Sequence, residues 1–91
     1  MKNEIICVVG LGYVGLPLAV ALGMSNKVIG IDKSLTKINL LIDGTDPAGE
    51  VSANELKLSK NITYSSSIND AEEATTYIVC VPTPVNDHNV P

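Results

Sequence analysis

Ninety-one residues, 45% of them hydrophobic, are enough for one small domain with its own core. That core must be aliphatic, because there is no Phe or Trp and only three Tyr. A net charge of −4 and the lack of any basic run argue against a nucleic-acid surface.

Ile5 to Val9 is apolar at every position, which suits a central parallel strand buried on both faces. Gly10-Leu11-Gly12-Tyr13-Val14-Gly15 follows, and Val14 to Met24 reads as a helix. Pro17 falls in its first turn, where a missing N–H costs nothing. Ser25-Asn26 breaks the helix, and Lys27 to Ile31 is a second strand. Ser34 can cap a second helix, in which Leu35, Ile38, Leu41 and Ile42 recur at helical spacing and which Gly44 stops. After the loop Thr45 to Gly49, Ser52 and Glu55 make a capping-box pattern for a short helix to about Ser59.

Ile62-Thr63-Tyr64 is a short third strand, and Ser65-Ser66-Ser67 offers caps for a brief helix through Ala74. Asp70, Glu72 and Glu73 on that segment read as a solvated face. Tyr77 to Val81 is a fourth strand, apolar throughout and therefore read as central; Pro82-Thr83-Pro84 is a rigid loop after it, and Val85 to Pro91 carries no element. The order β-α-β-α-α-β-α-β predicts an α/β, Rossmann-type doubly wound parallel sheet with strand order 3-2-1-4. It is truncated, since a complete two-half fold needs two more strands.

Residues 5 to 26 carry no charge, a length that mimics a membrane span, and Lys2 gives them the flank of a signal peptide. Four glycines and Pro17 interrupt the run, so strand, turn and helix account for it better, and a cytoplasmic protein is expected. In that compartment the Asn61-Ile62-Thr63 sequon has no consequence. Cys7 and Cys80 lie in apolar runs on strands expected to be neighbours, and read as buried thiols acting as small hydrophobes. The one His, His88, has no ligand spacing around it, so no metal site is expected.

Strand, Gly-rich turn and helix is the context a dinucleotide-binding fingerprint needs. Gly10 permits the tight turn, Gly12 lets the backbone approach a pyrophosphate, and Gly15 lets the helix pack close to the strand. The helix N-terminus offers N–H groups and a partial positive charge to phosphates. Asp32, 22 residues after Gly10 and at the end of the second strand, can accept hydrogen bonds from an adenosine ribose. It would repel a 2′-phosphate, which favours NAD over NADP despite Lys33 beside it. The glycine loop, Asp32 and Pro82-Thr83-Pro84 all end strands on the same sheet edge, at the switch point where ligands bind. A plain βαβ turn with a loop aspartate is the bland alternative. An S-adenosylmethionine-binding methyltransferase, a hydroxyacid-type dehydrogenase and a non-catalytic nucleotide sensor are the functional ones; Gly15 speaks against the methyltransferase.

Gly-Leu-Gly-Tyr-Val-Gly-Leu-Pro at 10–17, Asp32 and Val-Pro-Thr-Pro at 81–84 together resemble the UDP-glucose/GDP-mannose dehydrogenase family, over nearly the whole chain. The branch it looks most like oxidises UDP-N-acetylhexosamines for surface polysaccharides. Members oxidise a sugar C6 hydroxyl to a carboxylate in two NAD-dependent steps. The resemblance implies that Gly10, Leu11, Gly12, Tyr13, Val14 and Gly15 hold the pyrophosphate and Asp32 the adenosine ribose. Pro82 and Thr83 would lie near the centre of NAD. Lys37 sits where the family often has an Arg on the adenosine side, and Glu50 falls near a Glu common in the family's loop. The family's catalytic Cys and Lys lie beyond residue 91, and neither Cys7 nor Cys80 matches the motif that carries that thiol. The resemblance therefore implies an N-terminal NAD-binding domain over residues 1–91, inactive alone and binding NAD weakly at best. The larger enzyme would act on a UDP-sugar and form a homodimer through a later helix.

Overall fold

The computed structural model describes residues 4–80. In chain order they form β1 (Ile5–Val9), α1 (Gly15–Leu22), β2 (Lys27–Ile31), α2 (Leu35–Ile42), α3 (Ala53–Leu58), β3 (Ile62–Ser65), a 3-10 turn (Ile68–Ala71) and β4 (Thr76–Val79). The strands make one sheet in the order β3-β2-β1-β4, with every pairing parallel, as the element order predicts. Val8 stands level with Gly30 on one side and Ile78 on the other, which puts the carboxyl ends of β1, β2 and β4 on one edge.

Two hydrophobic layers explain why β1, and β2 after its exposed first residue Lys27, are apolar without alternation. Val8 and Val28 face a core built with Leu11, with Leu16, Ala19 and Val20 of α1, Ile38 and Leu41 of α2, and Leu56 of α3. Cys7, Ile29 and Ile31 face the other way and pack with Ala71 of the 3-10 turn. Successive residues of a strand point to opposite faces, so a strand covered on both sides has no polar position. Each fully buried aliphatic side chain contributes about 1.5–3 kcal/mol. The charge-free run 5–26 is divided among β1, the glycine loop and α1, and no helix among the described residues is long and apolar enough to cross a membrane.

The local signals act as expected at the caps. Ser34 Oγ accepts the Lys37 N–H, and Ser52 and Glu55 form a reciprocal capping box. The N–H groups of Gly44 and Thr45 turn back to the carbonyls of Leu41 and Leu40, ending α2. Asp46 organises the next loop, its carboxylate accepting the N–H groups of Ala48, Glu50 and Val51.

Two elements differ from expectation. α1 is shorter than Val14–Met24, because the N–H groups of Met24 and Ser25 bend back to Ala21 and Leu22, tightening the last turn. The segment after Ser67 is a single 3-10 turn, not a helix through Ala74; it is short enough to leave Ala71 and Ala74 against the sheet. β4 ends the predicted order 3-2-1-4 as the outermost of the described strands, and Tyr77 and Val79 on it are at least half exposed. An apolar run reports a strand suited to burial; it does not report whether a partner lies on its outer side. The expectations for Val81, for Pro82-Thr83-Pro84 and for residues 85–91 lie outside the described residues.

Candidate functional site

The loop from Gly10 to Gly15 leaves the carboxyl end of β1 through a residue no side chain tolerates well: Gly10 has φ +98°. Its N–H stays on the sheet, donating to the Ile31 carbonyl at 2.7 Å. Leu11 then turns inward. Its side chain is 2% exposed and its methyl groups pack over Gly30. Tyr13 and Val14, in contrast, point out at the mouth of the loop.

The other two glycines separate cleanly by what surrounds them. A Cβ built on Gly15 would overlap the Gly10 carbonyl oxygen and stand 2.8 Å from its carbon, so this glycine sets how closely α1 approaches β1. A Cβ on Gly12 would meet nothing within 4 Å. Packing does not require Gly12; a Cβ there would occupy only the open space in front of the loop. Among the described residues the N–H groups of Gly12, Tyr13, Val14 and Gly15 find no acceptor, while Leu16 N–H returns to the Gly12 carbonyl at 3.1 Å. Backbone donors at the start of a helix, with room before them, are what a phosphate group requires.

Asp32 stands at the end of β2, facing the same space. Its Oδ2 accepts the Leu11 N–H at 2.9 Å, its Oδ1 accepts the Ser34 N–H at 3.0 Å, and the Lys37 ammonium lies 3.5 Å from Oδ2. Burial alone would raise the carboxyl's pKa, but the two N–H donors and Lys37 outweigh it and hold the group below its usual range. Asp32 is thus a fixed carboxylate, and a carboxylate has about four acceptor sites, which leaves capacity for a sugar hydroxyl.

Gly10, Leu11, Gly12, Asp32 and Lys37 wall one hollow of about 520 Å³. Ser66 and Ile68, from the segment after β3, line it as well. Neither was legible as a site residue: a serine run and an isolated isoleucine carry no spacing signal, and only the parallel order brings the end of β3 beside the end of β2. Glu50 is exposed on the loop that Asp46 organises and does not line this hollow. Pro82 and Thr83 lie outside the described residues. A larger hollow of about 740 Å³, between the end of α2, α3 and β3, shares no residue with the glycine loop and has no comparable convergence of donors and carboxylate. Cys7 is fully buried, its thiol pushed up by burial, and it contributes packing rather than a nucleophile.

Fold and site together define a dinucleotide-binding protein of the Rossmann type, with a glycine loop and a hydrogen-bonded carboxylate at the carboxyl ends of adjacent strands. The chain belongs to the UDP-glucose/GDP-mannose dehydrogenase family: residues 4–91 match the NAD binding domain of that family. It is similar to Protein CapL of Staphylococcus aureus, with 47% identity over 89 residues, covering 98% of this chain and 21% of that protein. It is also similar to the UDP-N-acetyl-D-glucosamine 6-dehydrogenase of Pseudomonas aeruginosa, with 42% identity, covering all of this chain and 22% of that protein. Among solved structures, a ternary complex of GDP-mannose dehydrogenase from Pseudomonas aeruginosa superposes with a TM-score of 0.81 at 29% identity, covering 93% of this chain and 21% of that one. The chain therefore spans about a fifth of the length of these relatives.

Proposed function

We propose that this chain is the NAD-binding domain, residues 1–91, of a nucleotide-sugar dehydrogenase that oxidises the C6 hydroxyl of a UDP-sugar to a uronic acid for polysaccharide biosynthesis. The UDP-N-acetylhexosamine branch is favoured by the relative named for UDP-N-acetyl-D-glucosamine and by those named for UDP-N-acetyl-D-mannosamine. The observation that carries the reading is the meeting of Gly10, Leu11 and Gly12 of the glycine loop with the Asp32 carboxylate in one hollow, beside the N–H groups opening α1 that find no acceptor among the described residues.

In this reading the residues divide the cofactor between them. Gly12, Tyr13, Val14 and Gly15 offer N–H groups to the pyrophosphate, supported by the partial positive charge of the α1 N-terminus. Asp32 accepts from the adenosine ribose and repels a 2′-phosphate, so NAD is preferred to NADP. Thr83 and Pro82 would approach the middle of the cofactor. NAD supplies a two-electron acceptor for the alcohol; the groups that move the substrate's protons lie outside this chain, which alone catalyses nothing. The enzyme would work in the cytoplasm as a homodimer.

Titration calorimetry of the chain with NAD and NADP tests the cofactor; equal or tighter binding of NADP would sink the assignment. Oxidation assays of the complete enzyme with UDP-glucose, UDP-N-acetylglucosamine and UDP-N-acetylmannosamine test the substrate. Activity on 2-hydroxy acids with none on UDP-sugars would favour the hydroxyacid reading instead.

A further inference from the structure

Lys37 does more in this structure than border the adenosine side. Its ammonium lies 3.3 Å from the Leu11 carbonyl oxygen and 3.5 Å from Asp32 Oδ2, and that same Oδ2 accepts the Leu11 N–H at 2.9 Å. Both peptide groups of Leu11, one on each side of its α-carbon, are therefore held by a single Asp–Lys pair. The Leu11 side chain is pinned in the core below. The backbone entering Gly12 is thus fixed at three points.

The pair is itself held in place. Ser34 N–H donates to Asp32 Oδ1 at 3.0 Å, and Ser34 Oγ accepts the Lys37 N–H at 3.2 Å. The cap of α2 and the carboxylate of β2 are thereby one connected unit. The side chains of Lys37 and Asp32 are 27% and 15% exposed, so their attraction is screened less than that of a surface pair. Lys33, the other cation lining the hollow, makes no hydrogen bond to Asp32.

We propose that Lys37 is a positioning residue that clamps the Asp32 carboxylate to the glycine loop, so that loop and carboxylate present themselves to the adenosine half of the cofactor as one rigid surface. The proposal rests on the reading of this hollow as the NAD site. It differs from a direct lysine contact to the ribose, because the clamp acts before any ligand arrives.

Lys37→Met and Lys37→Arg in the full chain test it, with three probes: NAD, AMP and nicotinamide mononucleotide. Titration calorimetry should find NAD and AMP weakened about tenfold by Lys37→Met, the loss of one charge-assisted hydrogen-bonded contact, with nicotinamide mononucleotide unchanged. Carboxyl-carbon NMR of the ligand-free chain should find the Asp32 titration moved upward. Lys37→Arg, which keeps the charge and adds donors, should restore both. Unchanged Asp32 titration in Lys37→Met overturns the proposal; combined with weaker AMP binding, it would make Lys37 a direct ligand contact instead. Equal losses for AMP and nicotinamide mononucleotide would overturn it as well, by making the effect global. If the native chain binds no NAD, the cofactor reading falls, and the ligand-free Asp32 titration still decides the clamp.

Discussion

Gly15 and Gly10 touch across the first turn of the fold so closely that no β-carbon fits between them: one built on Gly15 would overlap the Gly10 carbonyl. The clashing atoms are backbone, at the junction of β1 and α1, and neither can yield without moving a whole element. Gly15→Ala should therefore cost about 3 kcal/mol or more, in the upper range for overpacking, measured by urea denaturation.

Gly12 predicts the opposite pattern. Nothing lies within 4 Å of its absent Cβ, and its φ is not in the left-handed region. Gly12→Ala should keep stability within about 1 kcal/mol of the native chain. NAD affinity should fall at least about tenfold, because the new methyl group would occupy the space before the phosphate donors. Denaturation and calorimetry on the same preparation separate the two effects; a large loss of stability would mean that the loop needs Gly12 for folding.

Asp32 should make stability depend on pH in the acid range. Its pKa is lowered in the fold, despite burial, by the N–H groups of Ser34 and Leu11 and by Lys37. A depressed carboxyl stabilises the fold above its unfolded value, about 4, and that contribution is lost as pH falls through the lower folded value. Asp32→Asn should thus be less stable than native by about 1–2 kcal/mol at neutral pH. The gap between the two denaturation curves should close as pH drops below about 4. A gap that stays constant with pH would count against the ionic role.

Tyr64 carries a buried hydroxyl with no hydrogen-bond partner among the described residues. Burial, and then the negative charge of Asp46, push its pKa up to about 12. Tyr64→Phe removes a desolvated polar group while keeping the ring over Gly30, and should stabilise the chain by about 1 kcal/mol in thermal melts. In the native chain, stability should also decline as pH rises above the unfolded value of about 10, since the fold disfavours the phenolate; Tyr64→Phe should flatten that decline.

Much of this was legible residue by residue. Ser34, Gly44, Ser52 and Glu55 act where their chemistry placed them, because caps and stops are satisfied by neighbours in the chain. The all-apolar β1 announced two covered faces. For β4, hydropathy records what a strand is suited to, while pairing on its outer side is a relation with another segment, which the run alone does not report. Ser66 and Ile68 carried no signal, since they reach the hollow only through the crossover that sets the end of β3 beside that of β2.

By itself, then, the sequence determined the strand order, the glycine loop and the carboxylate at the end of β2, because each rests on local periodicity or on spacing along the chain; the family followed from the resemblance of the motifs at 10–17, 32 and 81–84. The tertiary structure alone decided how those parts bear on one another. It set the Gly10 carbonyl where a Gly15 Cβ would stand and left open space before Gly12, giving distances to the packing and approach roles that the motif predicts for the two. It also joined Leu11, Asp32, Ser34 and Lys37 into one hydrogen-bonded unit, which depends on distances across three segments that no spacing in the chain encodes.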